Sequence, residues 1–498
     1  MSESITLQHR TIISVKQLLS EGLLTIPEYQ RPYKWNIENI ASLFDDIKMQ
    51  LDKPAYRLGT VVLHHEKNST TLNIVDGQQR TLTLMLAVLA INERYKDEDT
   101  YDAKHVRKVL GDLPQKAVAF SKKQSFSSNF SLYNLHENYK AISRIISRGD
   151  FTPKHIEFLL DGCEVVIFIL NDESEAFQFF DSQNARGKDL YPHDLLKAFH
   201  LREFNTDDEQ LKKDTVTYWE SLDDDKLAWL FSKHLYRIKR WSKGKSAQFF
   251  GKHDIAEFKG ISLDKENVPP YAKSLSITHY YIDDYNNSIH RSIAKTPTSY
   301  PFSLEQKIIN GKRFFEMVEH YDALIKTYRA VQIQKSDIEA FSHEVTLFEK
   351  KLNQRASKVV YTLNTYSKYR RHRKGDRHTR NIFDNAMIYY IDKFGTENLS
   401  QAIEILFIWA YQIRLKNYSV RPDGMDNHAN SNNGMFNRIQ EATVSKDVVV
   451  TAISSLKYSE IYTNQLPEID EQGKESAGEI YRLFRHLNYI TLEKQNEK

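Results

Sequence analysis

The stretch Leu72-Asn73-Ile74-Val75-Asp76-Gly77-Gln78-Gln79-Arg80-Thr81-Leu82 places a polar turn between two apolar runs. This pattern predicts a short strand, a tight turn and a helix rich in leucine. A helix N-terminus presents unpaired backbone N–H groups and a partial positive charge to whatever lies before it. Gly77 would let a ligand approach the backbone closely, and Arg80 offers a planar guanidinium to a phosphate. The turn is therefore predicted to bind phosphate; the alternative is a helix cap with solvated neighbours.

The chain has 498 residues, which is long for a single hydrophobic core, so two or three domains are expected. Hydrophobic residues at 40% and charged residues at 27% are typical of a soluble globular protein. The net charge of +3 does not by itself indicate a nucleic-acid partner. The single cysteine, Cys163, excludes an internal disulfide and a zinc site built from cysteines, and its apolar neighbours predict a buried thiol.

The N-terminal residues 1–5 lack the basic and apolar pattern of a secretory signal. No window of about 18 residues is both apolar and uncharged, so no membrane span is expected. These two observations predict a cytoplasmic protein that does not act at a membrane.

Hydrophobic periodicity changes character at about residue 205. Residues 1–205 alternate strand-like and helix-like segments, whereas residues 206–498 show mostly helical periodicity. The predicted class is α+β, with an N-terminal α/β domain followed by a mainly α-helical C-terminal domain. Strands are expected at 58–63, 72–75 and 164–170, and helices after an N-cap at Asn36, at 78–91 and at 174–182. Further helices are expected at 304–330, 338–352, 382–394 and 399–416.

Residues 26–35 form a second motif, in which aromatic side chains alternate with cationic and amide side chains. The aromatic residues are Tyr29, Tyr33 and Trp35, and the polar ones are Gln30, Arg31 and Lys34. Such a surface could stack a nucleic-acid base or bind a phosphate. The alternative is a packed loop whose aromatic side chains anchor it to the core.

A third motif lies between two predicted helices and contains Asn184, Arg186, Gly187 and Lys188. It leads to a helix expected to begin near Pro192, since proline suits a first helical turn. The motif is therefore a second candidate anion site at a helix start. The alternative is a helix–loop–helix corner in which Asp194 caps or pairs locally and Lys197 is solvated.

The three motifs together resemble the GmrS-type family. The resemblance rests on Tyr29-Gln30-Arg31 with Trp35, on residues 76–80, and on Asn184, Arg186-Gly187 and Asp194-Leu195-Leu196-Lys197 in that order. Members are the N-terminal, ParB-like domains of modification-dependent restriction systems, including GmrSD and SspE. The resemblance covers about residues 10–205. It implies a ParB/sulfiredoxin-like α/β fold, binding and hydrolysis of a nucleoside triphosphate with Mg²⁺, and a role in defence against phage DNA.

The resemblance also implies roles for individual residues. Asp76 would orient the metal or the attacking water, and the catalytic set would be Asp76, Gln78, Gln79 and Arg80. The nucleotide pocket would contain Gln30, Arg31, Gly77, Asn184, Arg186, Gly187 and Lys197. Base or DNA stacking would involve Tyr29, Tyr33 and Trp35. The metal ligands stay unassigned.

Known members often carry an HNH-type nuclease module, fused to the chain or supplied by a partner. Residues 426–430, Asp426-Asn427-His428-Ala429-Asn430, contain suitable residue types, but the flanking ββα pattern is missing and a polar surface loop is expected. Gly244-Lys245-Ser246 is similar to the end of a P-loop. A P-loop also requires a glycine five positions before Gly244, and that position is occupied by Lys239. Nuclease activity is therefore not predicted for this chain, and a separate nuclease partner would supply cleavage.

A basic stretch in the C-terminal half is predicted to contact DNA, because cations interleaved with aromatic residues favour phosphate backbones and stacked bases. Its cationic residues are Lys368, Arg370, Arg371, Arg373, Lys374, Arg377 and Arg380. Residues 236–245 form a weaker second basic run. The alternative for the main stretch is a solvated loop.

These observations predict a sensor that hydrolyses a nucleoside triphosphate and gates a restriction response against phage or modified DNA. Two alternatives remain open: a DNA-binding or adaptor protein that uses no nucleotide, and a complete nuclease with an unrecognised C-terminal site. The sequence does not identify the nucleotide, the DNA modification or the oligomeric state.

Overall fold

The structure is a computed structural model, and it describes residues 12–27, 30, 33–65, 71–123, 129–171, 191–204, 209–263, 268–289, 293, 297–335, 343–366, 371–431, 434–450, 456–469, 475–476 and 478–491. The chain divides into two compact units, Met1–Asp223 and Asp224–Lys498.

The N-terminal unit combines a mixed sheet with helices. Its described strands are β1 (Ile12–Ser14), β2 (Leu24–Thr25), β3 (Tyr56–His65), β4 (Leu72–Asp76) and β5 (Cys163–Leu170). Its described α-helices are α1 (Val15–Ser20), α2 (Ile37–Met49), α3 (Gln78–Tyr95), α4 (Tyr101–Leu110), α5 (Leu113–Lys123), α6 (Asn129–Ile146), α7 (Pro153–Glu157), α8 (Pro192–Leu201) and α9 (Glu209–Ser221). A π-helical turn, Phe158–Gly162, joins α7 to β5.

The described strands of this unit form one sheet in the order β1-β5-β3-β4-β2. β3 pairs with β4 in antiparallel register and with β5 in parallel register. The strands predicted at 58–63, 72–75 and 164–170 are confirmed, because their β-branched residues pack into the core on both faces of a central sheet. Cys163, at the start of β5, is a buried free thiol as predicted, and burial raises its pKa to about 12.

Two of the predicted helices are confirmed close to their expected starts. Asn36 is the N-cap of α2, and its side chain accepts a hydrogen bond from the backbone N–H of Asn39 at 3.1 Å. Helix α3 begins at Gln78, directly after Gly77. Its side chains are buried on most faces, so α3 lies within the core of the unit and fixes the turn before it. The helix predicted at 174–182 lies outside the described residues.

The second unit is mainly helical. Its described α-helices are α10 (Asp224–Trp229), α11 (Tyr236–Trp241), α12 (Lys273–Asn287), α13 (Lys312–Arg329), α14 (Gln354–Thr365), α15 (Lys374–Phe394), α16 (Leu399–Lys416), α17 (Pro422–Ala429), α18 (Met435–Glu441), α19 (Ser445–Val449) and α20 (Glu479–His486). A π-helical turn, Leu230–Leu235, lies between α10 and α11. Short 3₁₀ turns occur at Lys252–Phe258, Pro270–Ala272, Tyr458–Glu460 and Thr463–Gln465.

Short strands also occur in this unit: β6 (Gln332–Lys335), β7 (His343–Leu347), β8 (Lys350–Lys351), β9 (Leu456–Lys457), β10 (Glu468–Ile469), β11 (Glu475–Ser476) and β12 (Ile490–Thr491). The helix predicted at 338–352 is therefore wrong, since β6, β7 and β8 form a small antiparallel sheet there. Val345 and Leu347 alternate inward in the strand, and Phe348 and Glu349 take positive φ in the tight turn. The helix predicted at 304–330 begins only at Lys312.

Helices α15 and α16 carry the core of this unit, and the combination of a sheet domain with a mainly helical region confirms the α+β class. Both helices are buried over most of their length, including the tyrosines Tyr389, Tyr390 and Tyr411. Among the described residues, no helix is long and apolar enough to cross a membrane.

A pH effect follows from Asp392 near the end of α15. Its carboxylate accepts hydrogen bonds from the backbone N–H of Leu304 and from the hydroxyl of Tyr321, both at 2.8 Å. Burial nevertheless raises the pKa of Asp392 to about 6. The folded protein therefore binds this proton more readily than the unfolded chain does. The resulting contribution to the free energy of unfolding is complete below about pH 4 and is lost as the pH rises through 6.

We expect Asp392→Asn to remove this dependence, because the amide carries no charge, its oxygen can accept from the N–H of Leu304, and its NH2 can donate to the hydroxyl of Tyr321. The free energy of unfolding of the variant should exceed that of the wild type by about 2 kcal/mol at pH 8 and differ little at pH 4. Urea unfolding across this pH range measures the difference. Parallel pH profiles for the two proteins would contradict the assignment.

Candidate functional site

The turn between β4 and α3 is shaped by Gly77. Gly77 is the N-cap of α3 and has a φ of +91°, a left-handed conformation that favours glycine. A Cβ there would lie 2.9 Å from Cγ2 of Val61 and 3.1 Å from the carbonyl oxygen of Thr60. The sequence interpretation assigned Gly77 to ligand access. The structure gives a different reason for a glycine at this position: β3 fills the space beside it and leaves no room for a Cβ.

Arg80 and Asp76 lie on either side of this turn and are both half-buried. The guanidinium of Arg80 donates to the carbonyl oxygen of Thr60 at 3.2 Å and lies flat against Gly59. Burial lowers the pKa of Arg80, and the charge of Asp76 opposes this shift. The turn therefore combines a fixed cation, a nearby carboxylate and the backbone N–H groups of a helix start.

The sequence interpretation missed two residues of β3 that act on Arg80, Gly59 and Tyr56. Gly59 has a φ of +121°, and a Cβ there would lie 3.0 Å from a terminal nitrogen of Arg80. It lies at a shift of register between β3 and β5. Tyr56 acts electrostatically on Arg80. An isolated glycine inside a predicted strand is a recognised signal of a bulge or a close approach, so Gly59 could have been found from the sequence.

The second motif packs directly on the turn. The side-chain amide of Gln30 donates to the carbonyl oxygen of Val75 at 2.7 Å. Oε1 of Gln79 accepts from the backbone N–H groups of Lys34 at 2.7 Å and Trp35 at 3.1 Å. Gln79 therefore holds the segment 33–35 against α3. The amide oxygen is therefore used in positioning the loop, and the catalytic role of Gln79 stays a prediction.

Tyr33 and Trp35 are anchored to the core. Tyr33 is 0% exposed, and its hydroxyl lies 2.7 Å from Oγ1 of Thr83 and accepts from the amide of Asn138 at 3.0 Å. Burial raises the pKa of this hydroxyl. Trp35 is partly buried against the same core, and its carbonyl oxygen accepts from Asn138. The predicted stacking role of Tyr33 is therefore wrong, and the packed-loop alternative is correct for it. Tyr29 lies outside the described residues.

The start of α8 approaches the second motif. The ammonium of Lys34 lies 5.7 Å from the ring centroid of Tyr191, which stacks on the ring of His193 at 5.1 Å. The segment 33–35 thus contacts the turn through Gln79 and the start of α8 through Lys34. Arg31, Asn184, Arg186 and Gly187, which were assigned to the nucleotide pocket, lie outside the described residues.

Lys197, on α8, is 2% exposed and forms an ion pair with Glu220 of α9 at 2.9 Å. The sequence predicted that Lys197 contacts a nucleotide or is solvated. The structure shows neither, because the ammonium is buried against a carboxylate of its own unit. Gln78 is also buried, with 6% of its surface exposed.

The basic stretch of the second unit separates into paired and unpaired cations. Arg380 forms an ion pair with Asp384 at 2.7 Å and donates to the carbonyl oxygen of Leu363, so its predicted contact with DNA is corrected to an internal role. Arg373 pairs with Asp376 at 3.1 Å. Arg371 donates to the carbonyl oxygen of Asn364. Lys374 and Arg377 are exposed on the first turns of α15, whereas Lys368 and Arg370 lie outside the described residues.

Part of the weaker basic run and most of the 426–430 segment are also internal, whereas Lys243 and Lys245 are exposed. Lys239 is 7% exposed and donates to the carbonyl oxygens of Leu304 and Gln306. Asp426 is 1% exposed in α17 and accepts from the indole N–H of Trp241 at 2.8 Å. The expected polar surface loop at 426–430 is therefore wrong, because most of it is a helix packed by a buried carboxylate.

Models of two known protein families match separate parts of the chain. Residues 15–201 match the N-terminal domain of the GmrSD restriction endonuclease, which confirms the resemblance based on the three motifs. Residues 211–467, just over half of the chain, match a family of unknown function (DUF7834). No curated protein matches the chain. The chain therefore belongs to the DUF7834 family, and its residues 15–201 are similar to the N-terminal domain of a restriction-system family.

Proposed function

We propose that the chain is a regulatory component of a restriction system that binds a nucleoside triphosphate at the β4–α3 turn and hydrolyses it. The observation that carries this proposal is the meeting of Asp76, Arg80 and the start of α3 beneath the segment 33–35. A triphosphate needs cations and N–H donors in fixed positions, and phosphoryl transfer depends mainly on such positioning and charge neutralisation.

Arg80 would contact a phosphate with the part of its guanidinium not used on Thr60, and the N–H groups at the start of α3 would bind another phosphate oxygen. Gln30 and Gln79 act as positioning residues, since their amides hold the loop and the strand end on either side. Hydrolysis would transfer the terminal phosphoryl group to a water molecule beside Asp76, with the bond to the nucleoside diphosphate broken and inorganic phosphate released.

Asp76 fits a magnesium ligand. Its carboxylate is half-exposed, and within the described residues it forms no ion pair shorter than 4.0 Å. Mg²⁺ is commonly bound by one or two carboxylates together with substrate phosphates. When bound, Mg²⁺ would neutralise the charge of the phosphate oxygens. Asp76 is the residue that would hold it.

In this proposal, the second unit contacts phage or modified DNA through exposed cations of α15, and a separate nuclease partner cleaves it. Self-association of the chain would be compatible with both steps. The restriction-system domain supports an interaction with DNA, and the exposure of Lys374 and Arg377 supports their part in it.

Nucleotide binding by the full chain tests the proposal. We expect ATP or GTP with Mg²⁺ to bind in calorimetry and to release phosphate. Asp76→Asn and Arg80→Gln should each weaken binding by about tenfold or more, because each removes a charged contact to the phosphates or the metal.

Matched controls are Asp52→Asn and Arg148→Gln, which remove the same charges at exposed positions of the same unit. They should bind as the wild type does. Thermal unfolding checks that all four variants are folded. Absence of binding across a panel of nucleotides, or unchanged affinity in folded Asp76 and Arg80 variants, would leave the DNA-binding or adaptor function as the better explanation.

A further inference from the structure

The π-helical turn Leu230–Leu235 is fixed against α15 by side-chain amides. The carbonyl oxygen of Lys233 accepts from the amides of Asn381 at 3.1 Å and Asn385 at 2.8 Å. Nδ1 of His234 lies 2.6 Å from Oδ1 of Asn385. π-Helical turns occur frequently at functional sites. These contacts place the side chains of the turn beside the first turns of α15.

Five cationic or titratable residues meet at this junction, and we call them the cation cluster: Lys233, Arg237, Lys374, Arg377 and His378. Arg377 and His378 precede Asn381 by four and three residues, so they share its face of α15. Arg237 follows Lys233 by four residues and donates to Oδ1 of Asn381.

The members of the cation cluster differ in their exposure to solvent. Lys233, Lys374 and Arg377 are exposed, and His378 is partly buried. Arg237 is only 3% exposed, and its Nε has no hydrogen-bond partner among the described residues. A buried guanidinium therefore lies beneath three exposed cations.

The members of the cluster repel one another. Burial lowers the pKa of Lys233, and the charges of Arg237 and Arg377 lower it further. The pKa of His378 is lowered by burial and then by Arg237, Lys233, Arg377 and Lys374.

Little negative charge offsets this repulsion. Among the described residues, no member of the cluster forms an ion pair within 4.0 Å. Asp426 acts on Arg237, but Oδ1 of this carboxylate accepts from Trp241 and from the backbone of Ala247. The neighbouring cations Arg373 and Arg380 have carboxylates of their own, so the excess positive charge is local to the cluster.

We propose that the cation cluster binds the phosphodiester backbone of duplex DNA, with Lys233, Lys374 and Arg377 contacting phosphates over the buried Arg237. A polyanion removes the like-charge repulsion of the cluster and gains charge-assisted hydrogen bonds. The choice of DNA rests on the proposed function, whereas the anion site rests on the geometry of the second unit. The site adds Lys233, which lies outside both basic runs identified in the sequence, and joins it to Arg237 of the weaker run and to His378 of the main stretch.

The test is a salt titration of a short fluorescent DNA duplex with the full chain, without nucleotide. We expect Lys233→Gln/Arg377→Gln to weaken binding by about tenfold or more at moderate salt and to reduce the slope of log affinity against log salt by about two, one for each lost phosphate contact. Both residues are exposed, so the variant should fold as the wild type does.

The control Lys446→Gln/Arg482→Gln removes the same two charges at exposed positions on α19 and α20 and should leave the slope unchanged. Equal losses in the two double variants, or no duplex binding by the wild type, would overturn the proposal. Tighter binding of an RNA duplex of the same sequence would overturn the assignment to DNA. Nucleotide calorimetry on Lys233→Gln/Arg377→Gln separates this result from the proposed function, since wild-type nucleotide affinity with weakened DNA binding supports the cluster alone.

Discussion

Gly77→Ala should destabilise the N-terminal unit by about 2–4 kcal/mol. Two effects add at this position. Alanine is strained at a φ of +91°, and its Cβ would press on Val61 and on the carbonyl oxygen of Thr60 in β3. The backbone of β3 is central to the sheet and cannot move away without disturbing both neighbouring strands. Urea unfolding of the full chain measures the loss.

Gly22→Ala is the matched control for this prediction. A Cβ at Gly22 meets nothing within 4 Å, so the substitution should be neutral or slightly stabilising. A folded Gly77→Ala protein should also lose nucleotide affinity, because any shift of the turn separates Asp76 from Arg80. Equal stability of the two alanine variants would show that the turn relaxes freely, and the rigid-turn interpretation would then fail.

Lys197→Met should cost about 3–5 kcal/mol of stability, the largest effect predicted for this chain. The ammonium of Lys197 and the carboxylate of Glu220 are 3% and 10% exposed, so both charges have lost most of their hydration. Substituting the lysine removes this ion pair, whereas the carboxylate of Glu220 stays buried. The double variant Lys197→Met/Glu220→Met should recover most of the lost stability, because it removes both charges together.

Lys140→Met provides the comparison, since Lys140 forms an exposed ion pair with Glu137 at 3.1 Å. Its loss should cost no more than about 1 kcal/mol. The stabilities of Lys197→Met and Lys140→Met together show whether Lys197 stabilises the fold or acts as a nucleotide ligand. If Lys197→Met keeps wild-type stability while losing nucleotide affinity, the original assignment of Lys197 to the pocket is restored.

The proposed site differs in character from the one expected from the motif alone. The motif indicates a pocket lined by glutamines, whereas the structure uses Gln30 and Gln79 to fasten the surrounding backbone. The charged groups at the turn are the carboxylate of Asp76 and the guanidinium of Arg80. We infer that substitutions of the two glutamines would act through the position of the loop, and that substitutions of Asp76 or Arg80 would act on phosphate directly.

Local patterns in the sequence were sufficient for the strand–turn–helix unit. The apolar residues of β4, the glycine at 77 and the leucine-rich start of α3 lie within a few residues of one another, so neighbouring side chains determine the local conformation. The N-cap at Asn36 is predictable for the same reason. The short sheet at β6–β8 was missed because a few apolar residues fit helical and strand spacing about equally well.

The sequence by itself determined the elements around residues 72–82, the resemblance of the three motifs to the GmrSD N-terminal domain, and the residue types available for phosphate chemistry. Only the tertiary structure decided which of these side chains are bound to internal partners. Tyr33, Gln79, Lys197 and Arg380 have the right chemistry for binding, yet each contacts a partner distant in sequence. Burial makes an unpaired polar group costly, so long-range packing assigned these groups to internal partners and left Asp76, Arg80 and the cation cluster as the candidates for function.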